Sequence, residues 1–171
     1  LTTRITDAEL DIDLAGTTLL SLAQEVVEEA LIVGRVGLLV DFPPASPGTT
    51  LADQKAAGLR TLISVYEAES IYNWDLDRVN GATVLCQVRL TEEFSLESED
   101  EFETKWEKRY RVLDLESGKY RQRVYRVDEK GLEVQVGEDI IPLKDGVPLT
   151  FIPFVVMGVD DVGMDVDAPP L

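Results

Sequence analysis

An α+β fold is what the sequence predicts, with one N-terminal amphipathic helix packed on a largely antiparallel sheet of about seven strands. Three observations carry this. From Thr18 to Val33 the apolar residues recur at three- and four-residue spacing, the period of a helix. Most later apolar stretches alternate with period two instead, as half-buried strands do. These strands also follow one another without intervening helices, unlike the βαβ order of a parallel sheet.

The helix has Leu19, Leu22, Ala23, Val26, Val27, Ala30 and Leu31 on its apolar side and Gln24, Glu25, Glu28 and Glu29 on the other, the pattern of a core-packing amphipathic helix. Thr17 or Thr18 supplies an N-cap oxygen, and Gly34 stands where a left-handed C-terminal cap is expected. Val36, Leu38, Val40 and Phe42 then alternate with Arg35, Gly37, Leu39 and Asp41, predicting a strand that Pro43-Pro44 and Pro47-Gly48 end in a loop. One or two helical turns are expected over 50–57, then a strand over 59–66 with Leu59, Thr61, Ile63 and Val65 on one side.

Residues 67–74 show no clear period. Asn80-Gly81 is the strongest hairpin-turn signal in the chain, because both residues tolerate positive φ. The strand after it places Ala82, Val84, Cys86, Val88 and Leu90 on one face. Two strands are expected at about 104–115 and 119–127, turning at Ser117-Gly118, with Trp106, Tyr110, Val112, Tyr120 and Val124 as packing residues. A strand over 132–136 follows the Glu129-Lys130-Gly131 turn, with Leu132, Val134 and Val136 inward. Asp145-Gly146 marks a further turn. The apolar run 149–157 contains Pro153, which suits an edge position or a strand end.

At 171 residues the chain is about one domain long and can bury a core without disulfides or metal. It is read as a single domain: an arm over 1–16, a core over 17–157 and a mobile acidic tail over 158–171. The start at Leu1 and the end at Ala168-Pro169-Pro170-Leu171 suggest a fragment of a longer protein.

Acidic residues outnumber basic ones 33 to 16, for a formal net charge of −17. That balance argues against a free-standing DNA-binding module, since such affinity comes mainly from Lys and Arg neutralising phosphates. It also argues against docking on an anionic membrane. No apolar run approaches the ~20 residues needed to span a bilayer. A single cysteine, Cys86, excludes an intramolecular disulfide framework.

No catalytic constellation is legible. The chain has no histidine, which removes Ser-His-Asp and Cys-His nucleophile arrangements and the commonest general base near neutral pH. Cys86 sits mid-strand on an apolar face and reads as core. There is no phosphate-cradling glycine motif, and Gly34-Arg35-Val36-Gly37 follows a helix rather than opening one. The run Asp75-Leu76-Asp77-Arg78-Val79-Asn80-Gly81 fails the calcium-loop register, because Val79 and Asn80 occupy the positions that need an oxygen ligand and a glycine. Asp160, Asp161, Asp165 and Asp167 lie in the tail, where carboxylates are solvated rather than held in a cleft with separated pKa values. No enzymatic activity, cofactor or metal site is therefore expected. A carboxylate hydrolase using the tail aspartates or residues 75–77 is the weaker alternative.

Charge is segregated. An acidic loop is expected between Glu92 and Glu103, with seven carboxylates and no base, and residues 105–126 then supply half of the chain's positive charge. Intradomain or solvated charge is one reading. The other is a head-to-tail contact between subunits, of the kind that closes rings, with Glu97, Glu99, Asp100 and Glu101 of one copy meeting Lys108, Arg109, Arg111, Arg121 and Arg123 of the next.

The segment from Gly34 to Pro43 after an amphipathic helix resembles the GR-x-G-x-LVD-x-P segment of a tailed-phage family similar to portal proteins, the head–tail connectors. Tyr66-Glu67-Ala68-Glu69-Ser70-Ile71, Asn73-Trp74, Asn80-Gly81, Tyr110-Arg111-Val112-Leu113, Leu149 and Ile152-Pro153-Phe154 agree in order and spacing. The resemblance extends from about Gly16 to Leu171. Arg60-Thr61-Leu62 stands where the family pattern tends to Arg-Pro-Tyr. The resemblance implies a virion structural protein made in the host cytoplasm and placed at the capsid vertex. It implies an oligomeric ring, usually a dodecamer, through which DNA is packaged and ejected without sequence-specific binding. Terminase and head–tail adaptor proteins would be its partners. This chain would be the wing-like body of the subunit, monomeric by itself. A phage or prophage tail or baseplate adaptor, or another protein-interaction domain without catalysis, is the alternative.

Overall fold

The computed structural model describes residues 9–41, 60–96, 102–144 and 146–158. Strands hold 56% and helix 16% of the described residues. This corrects the predicted architecture: the fold is β-rich, with its strands divided among three sheets rather than forming one sheet of about seven strands under a helix. Local alternation shows that a segment is a strand, but every strand offers the same N–H and C=O groups, so partners are chosen by non-local packing. The contacts divide the chain into two compact units, Leu1–Glu69 with Pro153–Leu171, and Ser70–Ile152.

In the first unit, α1 (Leu19–Val33) starts at Thr18, whose hydroxyl accepts from the Ser21 N–H, and stops at Gly34, held at φ 92°. Both ends are where the sequence puts them. A three-stranded antiparallel sheet follows, ordered β10-β1-β2 from β1 (Arg35–Asp41), β2 (Leu62–Glu67) and β10 (Phe154–Gly158). The Val40 N–H donates to the Pro153 carbonyl just before β10 begins, and β10 is an edge strand as the proline suggests. Leu22, Val26 and Ala30 of α1 pack with Val36 and Ile12, and Leu38, Ile63 and Val65 close the cluster. Ile12 is further fixed by its backbone, which donates to Thr17 and accepts from Ile63. The other face of this sheet buries Leu39, Tyr66 and Phe154, with the last two rings edge-on at 6.2 Å.

The second unit is built on a five-stranded antiparallel sheet in sequence order: β3 (Ile71–Val79), β4 (Ala82–Leu96), β5 (Lys105–Glu116), β6 (Lys119–Val127) and β7 (Glu133–Gln135). Consecutive antiparallel neighbours need only tight turns. Asn80-Gly81 joins β3 to β4 at φ 52° and 85°, and Ser117-Gly118 joins β5 to β6 at φ 51° and 74°, as primed hairpin turns require. β3 escapes the period rule because it is a sheet edge whose residues are mostly exposed. A short hairpin, β8 (Leu143–Lys144) with β9 (Val147–Pro148), forms the third sheet.

Alternation places Val88, Leu90, Leu113, Tyr120 and Gln122 on one face of the large sheet, all buried. The predicted packing set mixed two faces. Across the β5–β6 register Val112 opposes Arg123, so Tyr120 shares its face with Leu113 and not with Val112. Leu132 and Val134, expected inward, are exposed on the β7 side. The predicted elements over 50–57 and the tail beyond Gly158 lie outside the described residues.

Candidate functional site

The basic strands β5 and β6 are where the sequence places subunit-contact charges, and the structure gives each described arginine among them a carboxylate. On the face that buries Leu90 and Leu113, Arg111 donates to both Glu92 oxygens, at 2.6 and 3.1 Å, and to the Gln122 amide oxygen at 2.6 Å. Gln122 is itself buried and exchanges backbone hydrogen bonds with Ile140. A bidentate arginine with a third acceptor is a geometrically specific pair.

Further along the same face, Arg109 and Arg126 stand directly opposite one another, an arrangement unfavourable for like charges. Glu107 resolves it by accepting from Arg109 at 2.5 Å and from Arg126 at 3.3 Å. The hydrogen bond from Arg109 holds the Glu107 carboxyl below its ordinary value. The Arg109 guanidinium also lies 4.4 Å from the centre of the Phe94 ring.

The opposite face carries a second network. Asp114 accepts from Arg121 at 2.9 and 3.2 Å and from Arg123 at 2.5 Å. Arg121 reaches on to Glu116 and Asp139, and its hydrogen bonds with Asp114 push its pKa further up. Arg123 donates to the Tyr125 hydroxyl at 2.8 Å. Lys108 lies 5.8 Å from the centre of the Tyr110 ring.

Of the acidic residues expected to meet these bases, Glu97, Glu99, Asp100 and Glu101 lie outside the described residues. The start of that acidic stretch is strand, not loop. Glu92 and Glu93 stand opposite Arg109 and Lys108 in the β4–β5 register, where opposite charges stabilise the pairing. Glu92, Glu107, Asp114, Glu116 and Asp139 are the partners that sequence reasoning missed. Part of the signal was present: counting outward from the two-residue Ser117-Gly118 turn pairs Asp114 with Arg121.

Beyond these networks β4 and β5 pair only with each other among the described residues. β3 pairs no further along β4 than Leu90, and β6 no further along β5 than Arg109. Glu93–Leu96 and Lys105–Lys108 therefore form a two-stranded arm. On it Trp106, expected to be core, is 63% exposed.

The remaining candidates are occupied locally. Asp75 pairs with Arg89 at 3.3 Å, and Asp77 accepts from the Arg78 N–H at 2.7 Å. Cys86 is half-buried at a bulge in β4, between the Asp75–Gln87 and Leu76–Leu85 pairs. Burial raises its pKa, and the nearby carboxylates of Asp77 and Asp75 add to the shift. Among the described residues, no three potential metal ligands converge and no helix is long and apolar enough to cross a membrane. No protein-family model matches the sequence, and no curated protein matches it either.

Proposed function

We propose that this chain is a structural, non-catalytic assembly domain, a piece of a ring-forming subunit of the phage portal type that its sequence resembles. The observation that supports this best is the β4–β5 arm, which extends past the described neighbouring strands and carries the exposed Trp106. Large aromatic side chains concentrate binding energy at protein interfaces, and a two-stranded projection suits reaching across to a second subunit. A contact in which the arm of one copy meets a different surface of the next is heterologous, and such contacts close rings. The net charge of −17 also suits a conduit that DNA passes through without being gripped. In this reading the partners are other copies, terminase and a head–tail adaptor, and the place of work is the capsid vertex.

Negative-stain microscopy with light scattering on the full-length protein tests this. Rings with a central hole that Trp106→Ser breaks into smaller species are the expected result. A uniform monomer at high concentration rejects the ring and leaves a tail or baseplate adaptor.

A further inference from the structure

The apolar side of α1 is wider than the sheet beneath it. Leu22, Val26 and Ala30 are buried, but Leu20, Val27, Leu31 and Ile32 are each more than half exposed. Leu20, Ala23, Val27 and Leu31 follow one another at three- and four-residue spacing, so they form a second stripe along the axis. The stripe is roughly 16 Å long at 1.5 Å per residue. Ala23, Val27, Leu31 and Ile32 line an open groove there, with Gln24 and Glu28. The small Ala23 lets another backbone come close.

The helix surface also carries Glu25, Glu28 and Glu29 and no Lys or Arg. A second copy laid on this face would bring one acidic helix against another, on chains of net charge −17 each. An anionic lipid surface would be repelled likewise. The complementary occupant has an apolar seam flanked by positive charge. An amphipathic helix lying along the groove meets both requirements, in the way helices commonly dock on apolar grooves.

We propose that the exposed face of α1 docks an amphipathic helix of a partner protein whose apolar seam is flanked by Lys and Arg. This surface is built from residues other than those of the β4–β5 arm, and the inference does not depend on ring formation.

The test uses two synthetic helical peptides with the same Leu/Ile seam, one flanked by Lys and Arg and the other by Glu, titrated by fluorescence anisotropy. The basic peptide is expected to bind roughly ten-fold or more tighter than the acidic one. Val27→Glu and Leu31→Glu should each weaken it by roughly ten-fold or more, with circular dichroism confirming that these surface variants stay folded. Gln24→Lys/Glu28→Lys, at the two polar residues that line the groove, should shift the preference toward the acidic peptide. No binding of the basic peptide, equal binding of both, or affinity unchanged by Val27→Glu overturns the proposal. So does light scattering that shows a dimer dissociated by Leu31→Glu, because the face would then be a contact between copies.

Discussion

Asp114 and Arg121 stand directly opposite one another across the β5–β6 register, 2.9 Å apart, with both side chains more than four-fifths buried. Arg123 joins the same carboxylate at 2.5 Å, so one acidic group holds two guanidinium groups near the Ser117-Gly118 turn. Removing it leaves two poorly hydrated positive charges side by side, which costs more than the pair itself contributes. Asp114→Ala is expected to lower stability by about 2–4 kcal/mol, read from the urea midpoint. Lys105→Ala is the control, since Lys105 and Glu103 are each 57% exposed and 3.7 Å apart; it should stay within about 0.5 kcal/mol of wild type. Equal effects from the two variants would show that the Asp114 network adds nothing beyond a surface pair.

Acid stability should depend on two carboxylates held down by hydrogen bonds. A bond from the Thr17 side chain, with the Ala15 N–H next, lowers Asp13 from 3.8 to about 2. Glu107 is lowered from 4.5 chiefly by Arg109. A carboxylate with a depressed folded-state pKa stabilises the fold above its unfolded value and loses that contribution as pH falls through its folded value. Asp13→Asn should therefore flatten the stability curve between 3.8 and about 2. Glu107→Gln should flatten it below 4.5. Urea titrations at a series of acid pH values read both slopes, and superimposable curves for wild type and both variants would contradict the assignment.

Cys86 should behave as an unreactive thiol in the native state. Burial and the carboxylates of Asp77 and Asp75 raise its pKa, which lowers the thiolate fraction that attacks electrophiles. At pH 8 its alkylation by iodoacetamide is expected to be roughly ten-fold slower in the native protein than in urea. Equal rates would place the thiol in open solvent.

The Asn80-Gly81 turn should tolerate no Cβ at its second position. Gly81 has φ 85° and open space around it, so a side chain there meets backbone strain rather than a clash. Gly81→Ala is expected to cost about 1 kcal/mol, seen as a lower thermal midpoint. Asn80→Gly should change it by less, because asparagine already tolerates the left-handed region. A Gly81→Ala protein as stable as wild type would mean that the turn relaxes to another geometry.

Much of the candidate site is a matter of register. The tight turn at Ser117-Gly118 sets the Asp114–Arg121 pair, so that half of the network was within reach of the sequence. The Arg111–Glu92 pair was not, since it depends on how far β4 continues past Leu90. Glu92 sits in a run of carboxylates that resembles a solvated loop until Arg109 and Arg111 are placed beside it. Trp106 illustrates the opposite error. Its size and its strand suggest core, but it lies on the arm, where no strand among the described residues pairs with either edge.

The sequence by itself determined what is local: the helix from Thr18 to Gly34, the hairpin turns at Asn80-Gly81 and Ser117-Gly118, and the existence of β1, β2, β4, β5 and β6. Each follows from backbone preferences and a short-range period that a few neighbouring residues specify. The tertiary structure alone decided that β10 returns to pair with β1, that the described strands fall into three sheets, and that, among the described residues, Leu22, Val26 and Ala30 are the part of α1 that is buried. Those outcomes depend on which distant apolar faces meet. Backbone hydrogen-bonding groups are the same in every strand, and the apolar arc of a helix does not say how much of it a partner will cover.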